Sequence, residues 1–156
     1  MKVNPGGLGD RKIASMPTPT EIKRALVKAG FEVYQTRGDV VHVAERVREN
    51  LIMDSRIRVR AAELAVIFGT LAQRSEFPGD SDEQLFDRAR QLVDEARARG
   101  YVELETLSTD VPDPSDSDRT LDTWCEVFFE KSVADIDLAM DEVKFALSLD
   151  KAVTRR

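Results

Sequence analysis

LDTWCEVFFE, residues 121–130, alternates between two kinds of side chain along its whole length. Successive side chains of an extended chain point to opposite faces, so a period of two predicts a β-strand. One face carries small and apolar residues, namely Leu121, Thr123, Cys125, Val127 and Phe129. The other face combines acidic with aromatic residues: Asp122, Trp124, Glu126, Phe128 and Glu130. Large aromatic rings on both faces imply that both are covered, either by a helix of this chain or by a partner.

The chain before this strand supplies a partner strand. Residues 101–107 alternate again, with Val102 and Leu104 on one face and two glutamates on the other. This pattern predicts a half-buried strand. Residues 109–120, between the two strands, are rich in Asp, Pro and Ser, which predicts a loop. The two strands therefore form a hairpin with a long loop.

Three segments have the pattern of an amphipathic helix with a capped N-terminus. In each, a Ser or Thr precedes by three residues a side chain that can bond back to its backbone N–H. The pairs are Thr18 with Glu21, Ser81 with Gln84 and Ser132 with Asp135. Pro19 suits the first helical position, and Gly30 can adopt the left-handed conformation that ends a helix. We predict helices over 19–29, from Ser81 to before Gly100, and from Ser132 to near Asp150.

The segment between the first two helices contains further strand signals. Residues 31–43 have two strand patterns around a turn at Gly38, which predicts a hairpin. Residues 56–60 alternate Arg with Ile or Val and predict another strand. Two neighbouring segments stay open. Residues 45–54 extend the hairpin or form a short helical turn, and residues 61–74 fit either a helix or a buried strand.

The predicted fold class is α+β: an antiparallel sheet with amphipathic helices packed on it, in the order helix-hairpin-strand-helix-hairpin-helix. A length of 156 residues suits one domain. Residues 1–16 contain Pro and three Gly without hydrophobic periodicity, so we expect a mobile N-terminal arm there. The single α+β domain is then predicted over residues 17–156.

This element order and amphipathic pattern resemble the type III secretion chaperone-like fold and, within it, the YbjN-type domain family. Residues 22–43 carry the likeness for the first helix and hairpin, and residues 85–149 for the helix, paired strands and closing helix. Members of that group are small acidic cytoplasmic proteins. The resemblance implies a third strand over residues 64–72, a non-catalytic protein-binding role and a homodimer. No family motif is matched, so the resemblance assigns no functional residue.

The charge of the chain is unevenly distributed. The net charge is −6 and the pI is about 4.9. Residues 1–74 hold 13 Lys and Arg against 8 Asp and Glu, a net of +5, whereas residues 75–156 hold 10 against 21, a net of −11. An acidic protein lacks the basic surface that supplies most of the affinity for a phosphate backbone. Nucleic acid is therefore disfavoured as the main partner.

The sequence gives no sign of membrane insertion or export. No run approaches the ~20 apolar residues that a membrane span requires. The N-terminal residues lack the apolar core of a signal peptide. A single cysteine, Cys125, also fits a reducing compartment. We expect a cytoplasmic protein with no membrane partner.

The composition leaves little catalytic chemistry. One His and one Cys exclude metal sites with several His or Cys ligands and a disulfide framework. His42 has no neighbouring nucleophile in sequence, and Cys125 has no adjacent basic residue to activate it. The aspartates of residues 110–122 miss the spacing of a calcium loop. We therefore predict no catalytic residue, no metal site, no cofactor and no enzymatic activity.

Five residues are candidate partner contacts. Arg56, Arg58 and Arg60 lie on one face of a predicted strand, where they either bind acidic groups or protect a sheet edge from aggregation. Trp124 and Phe128 share the second face of the strand over 121–130. The leading hypothesis is a non-catalytic, chaperone-like or adaptor protein that binds a protein or peptide client and forms a homodimer.

Two alternatives belong to other functional classes. A nucleic-acid-binding regulator would use the basic first half, including Lys23, Arg24, Lys28 and the three arginines. A small-molecule binder or enzyme would use acidic side chains together with His42. The shortage of nucleophiles makes this second alternative the weaker one.

Overall fold

The computed structural model describes residues 16–155, which form six strands, three helices of ten or more residues and one five-residue helix. In chain order these are α1 (Pro19–Lys28), β1 (Glu32–Arg37), β2 (Val40–Arg48), β3 (Leu51–Arg60), β4 (Ala65–Gln73), α2 (Asp82–Gln91), α3 (Asp94–Ala98), β5 (Val102–Asp113), β6 (Asp116–Ser132) and α4 (Ile136–Ser148). The strands form one antiparallel sheet in the order β1-β2-β3-β4-β6-β5. Strands β1 and β5 are therefore its two edges.

The predicted order helix-hairpin-strand-helix-hairpin-helix is wrong. Four consecutive strands, β1 to β4, lie between α1 and α2, and strands dominate the fold. Residues 45–54 continue the ladder of β2 and β3 around a tight turn, with no helical turn. Residues 61–74 contain β4, which has no charged residue and is buried at eight of its nine positions. A strand buried on both faces has no polar side to reveal its period, which is why its apolar spacing also fits a helix.

The predicted loop over residues 109–120 is also wrong. Strands β5 and β6 form one ladder that runs from the pair of Val102 with Glu130 to the pair of Asp113 with Asp116. Asp113 stabilises the short turn between them, because its Oδ1 accepts hydrogen bonds from the backbone N (2.9 Å) and the Oγ (2.7 Å) of Ser115. Turn-forming Asp, Pro and Ser residues thus mark a tight turn here, and the strands extend to either side of it.

Helix starts are predicted more accurately than helix lengths. The capping boxes at Thr18 and Ser81 are both present, which confirms these two starts. The helix that follows Ser81 is divided into α2 and α3 at Val93, which has no side-chain capping bond. The last helix begins at Ile136, later than predicted, because β6 continues through Ser132.

The chain divides into two compact units. The first combines the chain up to Ile67 with Ser132–Leu147, and the second combines Phe68–Lys131 with Ser148–Arg156. A single domain over residues 17–156 stays a prediction. The predicted mobile arm, residues 1–16, lies outside the described residues except for Met16.

In the first unit, α1 packs on β1 and β2. Ile22 and Leu26, on α1, are fully buried. Val43 on β2 and its ladder partner Ile57 on β3 are fully buried as well. The core of this unit therefore lies against the face of the β2–β3 hairpin that contains Val43 and Ile57. Residues that alternate with these along each strand have their side chains on the other face.

In the second unit, Phe68 of β4 is the centre of an aromatic cluster. Its ring is 5.0 Å from the ring of Tyr101, edge to face, and 5.7 Å from that of Phe129. The Oγ1 of Thr70 donates a hydrogen bond of 3.0 Å to the carbonyl of Ala89 and so joins β4 to α2. Burial of large rings and a satisfied hydroxyl make this the structural core of the unit.

Strand β5 is not the half-buried strand that the alternation predicts. Ten of its twelve residues are exposed, and Val102 is 62% exposed and Leu104 39%. Alternation shows that the two faces of a strand differ, but it does not show that another layer covers the apolar one. At the edge of the sheet, β5 has its apolar side chains in solvent.

Candidate functional site

The three predicted arginines lie on β3 in the first unit, all half-buried. Arg58 and Arg60 are the ladder partners of His42 and Val40 on β2. Arg56 lies in a bulge, where the register shifts and its φ is +65°. The guanidinium of Arg60 donates hydrogen bonds to the carbonyls that follow β3, those of Ala62 (2.9 Å) and Glu63 (3.3 Å). The arginines are thus part of the strand and its turn, and they do not form a regular exposed row.

Side chains next to Arg56 stabilise the bulge. Ser55 is buried, and its Oγ donates to the carbonyl of Val43 (2.7 Å) and accepts from the N–H of Ile57 (3.2 Å). The N–H of Arg56 donates to Oδ1 of Asp54 (2.9 Å). These bonds satisfy the backbone groups that the bulge removes from the ladder. They also account for a left-handed conformation at a residue with a side chain.

His42 lies beside this bulge and is 7% exposed. Its Nδ1 is 3.9 Å from Oδ2 of Asp54, beyond hydrogen-bond distance, and has no hydrogen-bond partner in the described part of the chain. Burial lowers the pKa of His42 below its ordinary value, and the positive charges of Arg58 and Arg37 lower it further, whereas Asp54 opposes them. A neutral buried imidazole whose Nδ1 has no orienting hydrogen bond lacks the arrangement of a general base.

The two predicted aromatic contacts lie on β6 in the second unit. Phe128 is 3% exposed, and its ring occupies the space beside Gly69 that a side chain there would fill. Trp124 is half-buried, and its Nε1 donates a hydrogen bond of 3.2 Å to Asp122. The chain itself therefore covers Phe128, and Trp124 is partly held by a neighbouring carboxylate.

Asp122 is the most heavily hydrogen-bonded carboxylate that lines a cleft of the second unit. It accepts bonds from the backbone N (2.9 Å) and Oγ (2.8 Å) of Ser75, from the backbone N of Thr123 (2.8 Å) and from Trp124. Burial works to raise the pKa of Asp122, but these hydrogen bonds outweigh it and hold the pKa below its ordinary value. An ionised carboxylate with its acceptor sites occupied joins the end of β4 to β6, and it is not available as a proton acceptor.

This cleft has a volume of about 550 Å³ and is lined by Arg74, Ser75, Asp110, Asp122 and Thr123 among others. The guanidinium of Arg74 is paired with Asp82. Thr123 donates to Oδ1 of Asp110 (2.9 Å). These polar groups of the cleft are thus bonded to one another or to neighbouring side chains, which is typical of a structural network.

The chain's thiol is not activated either. Cys125 is fully buried on β6. Burial raises the pKa of the Cys125 thiol. The nucleophilic form of cysteine is the thiolate, so this shift suppresses its reactivity.

Two kinds of feature are absent from residues 16–155. In that range, no group of three or more His, Cys, Asp or Glu side chains is arranged to hold a metal ion. None of the helices in the same range has both the length and the hydrophobicity to cross a bilayer.

The outer edge of β5 is the feature that the sequence analysis missed. Its apolar side chains Val102, Leu104 and Leu107 are exposed by 62, 39 and 48%. Among the strands of residues 16–155, β5 pairs with β6 alone, so its other side presents backbone N–H and C=O groups. The informative signal is the composition, because a strand with four carboxylates and a Pro near its end suits a sheet edge.

A bidentate ion pair holds β5 against α2. The guanidinium of Arg90 donates to both carboxylate oxygens of Glu103, at 2.8 and 3.2 Å. Hydrogen bonds from Arg90 lower the pKa of Glu103 below its ordinary value. Farther along β5, the Oγ of Ser108 donates to Asp82 at 3.4 Å. These contacts with α2 therefore fix the position of β5.

Comparison of the chain with protein-family models, with curated proteins and with solved structures finds no match. The resemblance to the type III secretion chaperone-like fold and the YbjN-type domain stays a prediction.

Proposed function

We propose that this protein is a non-catalytic protein- or peptide-binding domain that takes up an extended segment of its client along the outer edge of β5. One observation carries the proposal: β5 is a twelve-residue edge strand with three apolar side chains in solvent. Edge strands recruit extended peptides through main-chain hydrogen bonds, and alternate side chains supply specificity.

The length and stiffness of the edge support this proposal. Twelve residues at about 3.3 Å each give an edge of roughly 40 Å, enough for a segment of eight to ten residues. The ion pair between Arg90 and Glu103 holds the edge in place before a client arrives. A preorganised edge lowers the entropy cost of binding.

The location of the protein and its remaining partners are proposals too. A cytoplasmic location fits a single buried cysteine. A homodimer stays a prediction. Arg60 gives the nucleic-acid alternative no support, because its guanidinium is bonded to its own turn.

The proposal is tested with labelled decapeptides in which Val alternates with Lys, Thr or Glu, titrated by fluorescence anisotropy. We expect saturable binding of at least one peptide. The double variant Val102→Ser, Leu107→Ser, which removes two apolar contacts on one face of β5, should weaken it by about tenfold. Val47→Ser is the matched control, because Val47 is similarly exposed (51%) but lies on β2. Absence of saturable binding, or equal losses in both variants, would overturn the proposal.

A further inference from the structure

We infer that the segment bound at β5 is basic, with Lys or Arg at alternate positions. This inference rests on the proposed function, since it specifies the chemistry of the client that the β5 edge accepts. Three properties of the β5–β6 ribbon, residues 102–132, support it: its net charge, the positions of its carboxylates and its repulsion of a second copy.

The negative charge of the protein is concentrated in this ribbon. Residues 102–132 contain nine Asp and Glu and two Lys and Arg, a net of −7. The whole chain has a net charge of −6, so the remaining residues together carry +1. A client that approaches β5 therefore meets the most negative part of the molecule, which favours and accelerates the association of a positively charged segment.

The register places carboxylates where an added strand would meet them. Val102, Glu105 and Leu107 share one face of β5, because their ladder partners on β6 are Glu130, Phe128 and Glu126. Along this face acidic and apolar groups alternate on both strands. Directly opposed side chains of neighbouring strands lie about 5 Å apart. An added strand would thus place its own side chains next to Glu105, with Glu126 one strand farther away.

The two glutamates of β5 differ in their availability. Glu103 is already paired with Arg90 of α2. Glu105 is exposed and has no ion pair in the described part of the chain. Because every second side chain of a strand lies on the same face, the Lys or Arg residues of the client would all meet this face. The charged end of one would supply the missing positive charge at Glu105, and the methylene groups of its neighbours would contact Val102 and Leu107.

The same charges disfavour the other occupants. A second copy of this chain would bring two ribbons of net charge −7 together along β5, with repulsion between them. A nucleic acid would bring phosphates to an acidic surface. A basic extended segment of another protein is the occupant that complements both the unpaired backbone edge and its charge.

The test compares the three decapeptides on the full-length protein at 50 and 300 mM salt. At low salt we expect the Lys peptide to bind at least about tenfold more tightly than the Thr peptide and the Glu peptide to bind most weakly. At high salt the preference for Lys should shrink. The double variant Glu105→Gln, Glu126→Gln should reduce the ratio of Lys to Thr affinity to about threefold or less. The control Glu49→Gln, Glu95→Gln changes the net charge equally at exposed sites outside the ribbon, and should retain the ratio.

The outcomes separate the two proposals. Equal binding of the Thr and Lys peptides, with loss in the Val102→Ser, Leu107→Ser variant, overturns the charge inference and leaves the proposed function standing. Failure of all three peptides to bind overturns both. Saturable binding of a labelled single-stranded oligonucleotide to the protein in the absence of peptide, lost in the Val102→Ser, Leu107→Ser variant, would also overturn the inference, because it would show that the surface accepts negative charge.

Discussion

Strands β4 and β5 belong to one sheet and have opposite environments. β4 is buried at eight of nine positions, whereas β5 is exposed at ten of twelve. β4 contains no charged residue, and β5 carries four carboxylates. A strand's composition on both faces therefore indicates its place in a sheet better than its period does: uniformly apolar strands take the centre, and charged alternating strands take an edge.

The largest expected effect is on the free energy of unfolding, and it should differ between the loss of an apolar side chain on β4 and the loss of one on β5. Phe68→Ala removes the ring that contacts Tyr101 and Phe129 from a fully buried position. We expect it to lower the free energy of unfolding by about 3–5 kcal/mol. Leu107→Ala, at a position 48% exposed, should change it by about 0.5 kcal/mol or less. Urea denaturation of both variants measures the difference, and equal losses would mean that β5 is covered.

A second prediction concerns the close approach of β4 to β6 at Gly69. A Cβ at this position would lie 2.7 Å from Cε1 of Phe128, a contact that requires the ring to move. Gly69→Ala should therefore destabilise the protein by about 1–3 kcal/mol through overpacking. Gly79→Ala is the control, because a Cβ there meets nothing within 4 Å. If Gly69→Ala unfolds at the same urea concentration as the wild type, the proposed packing of Phe128 is incorrect.

Sequence reasoning succeeds where a structure depends on neighbouring residues. The capping box of Thr18 forms as predicted because Glu21 is one helical turn away, and its Oε1 accepts from the backbone N of Thr18 at 3.0 Å. The turn at Gly38 also depends on local backbone conformation, with φ of +57°. Such features need no knowledge of the rest of the chain.

Sequence reasoning fails where the structure depends on residues that are distant in sequence. The alternation over 121–130 predicts aromatic side chains on both faces of β6, but the coverage of Phe128 depends on Gly69, far away in sequence. The exposure of β5 depends on its place in the strand order, which no local pattern encodes. Of the five predicted contact residues, Arg56 departs from its expected place because a bulge interrupts the period of β3. The sequence of residues 102–113 does predict a sheet edge if the charges of the strand are given more weight than the alternation of its side chains.

A third prediction concerns the carboxylate that joins the end of β4 to β6. Asp122→Asn keeps the shape of the side chain but replaces one acceptor oxygen by a donor, so Ser75, Thr123 and Trp124 cannot all remain bonded. We expect a loss of about 1–2 kcal/mol at pH 7. Asp118→Asn, at an exposed position on the same ribbon, is the control and should change stability by about 0.5 kcal/mol or less.

The pH dependence of this loss follows from the lowered pKa of Asp122. A carboxylate with a folded pKa below its unfolded value of about 3.9 contributes stability above that value and loses it as the pH falls through the folded pKa. The difference between wild type and Asp122→Asn should therefore be constant from pH 7 to 5 and shrink below about pH 4. Urea denaturation at pH 7, 5 and 3 measures it. A difference that grows on acidification would contradict the assignment of these hydrogen bonds to an ionised Asp122.

The smallest perturbation, exchange of amide hydrogen for deuterium, sharpens the comparison without a mutation. Among the described strands β5 pairs with β6 on one side alone, so alternate N–H groups of β5 point to solvent and should exchange fast, giving a two-residue periodicity along the regular part of the ladder, residues 105–111. Amides in β4 from Phe68 to Thr70 open only with the core, so they should exchange at least about a thousandfold more slowly. NMR spectroscopy resolves both sets of amides, and addition of the Lys decapeptide should slow the outward set alone. Uniform protection of β5 in the free protein would show that its edge is already covered, and loss of that protection on dilution would identify the cover as a second copy.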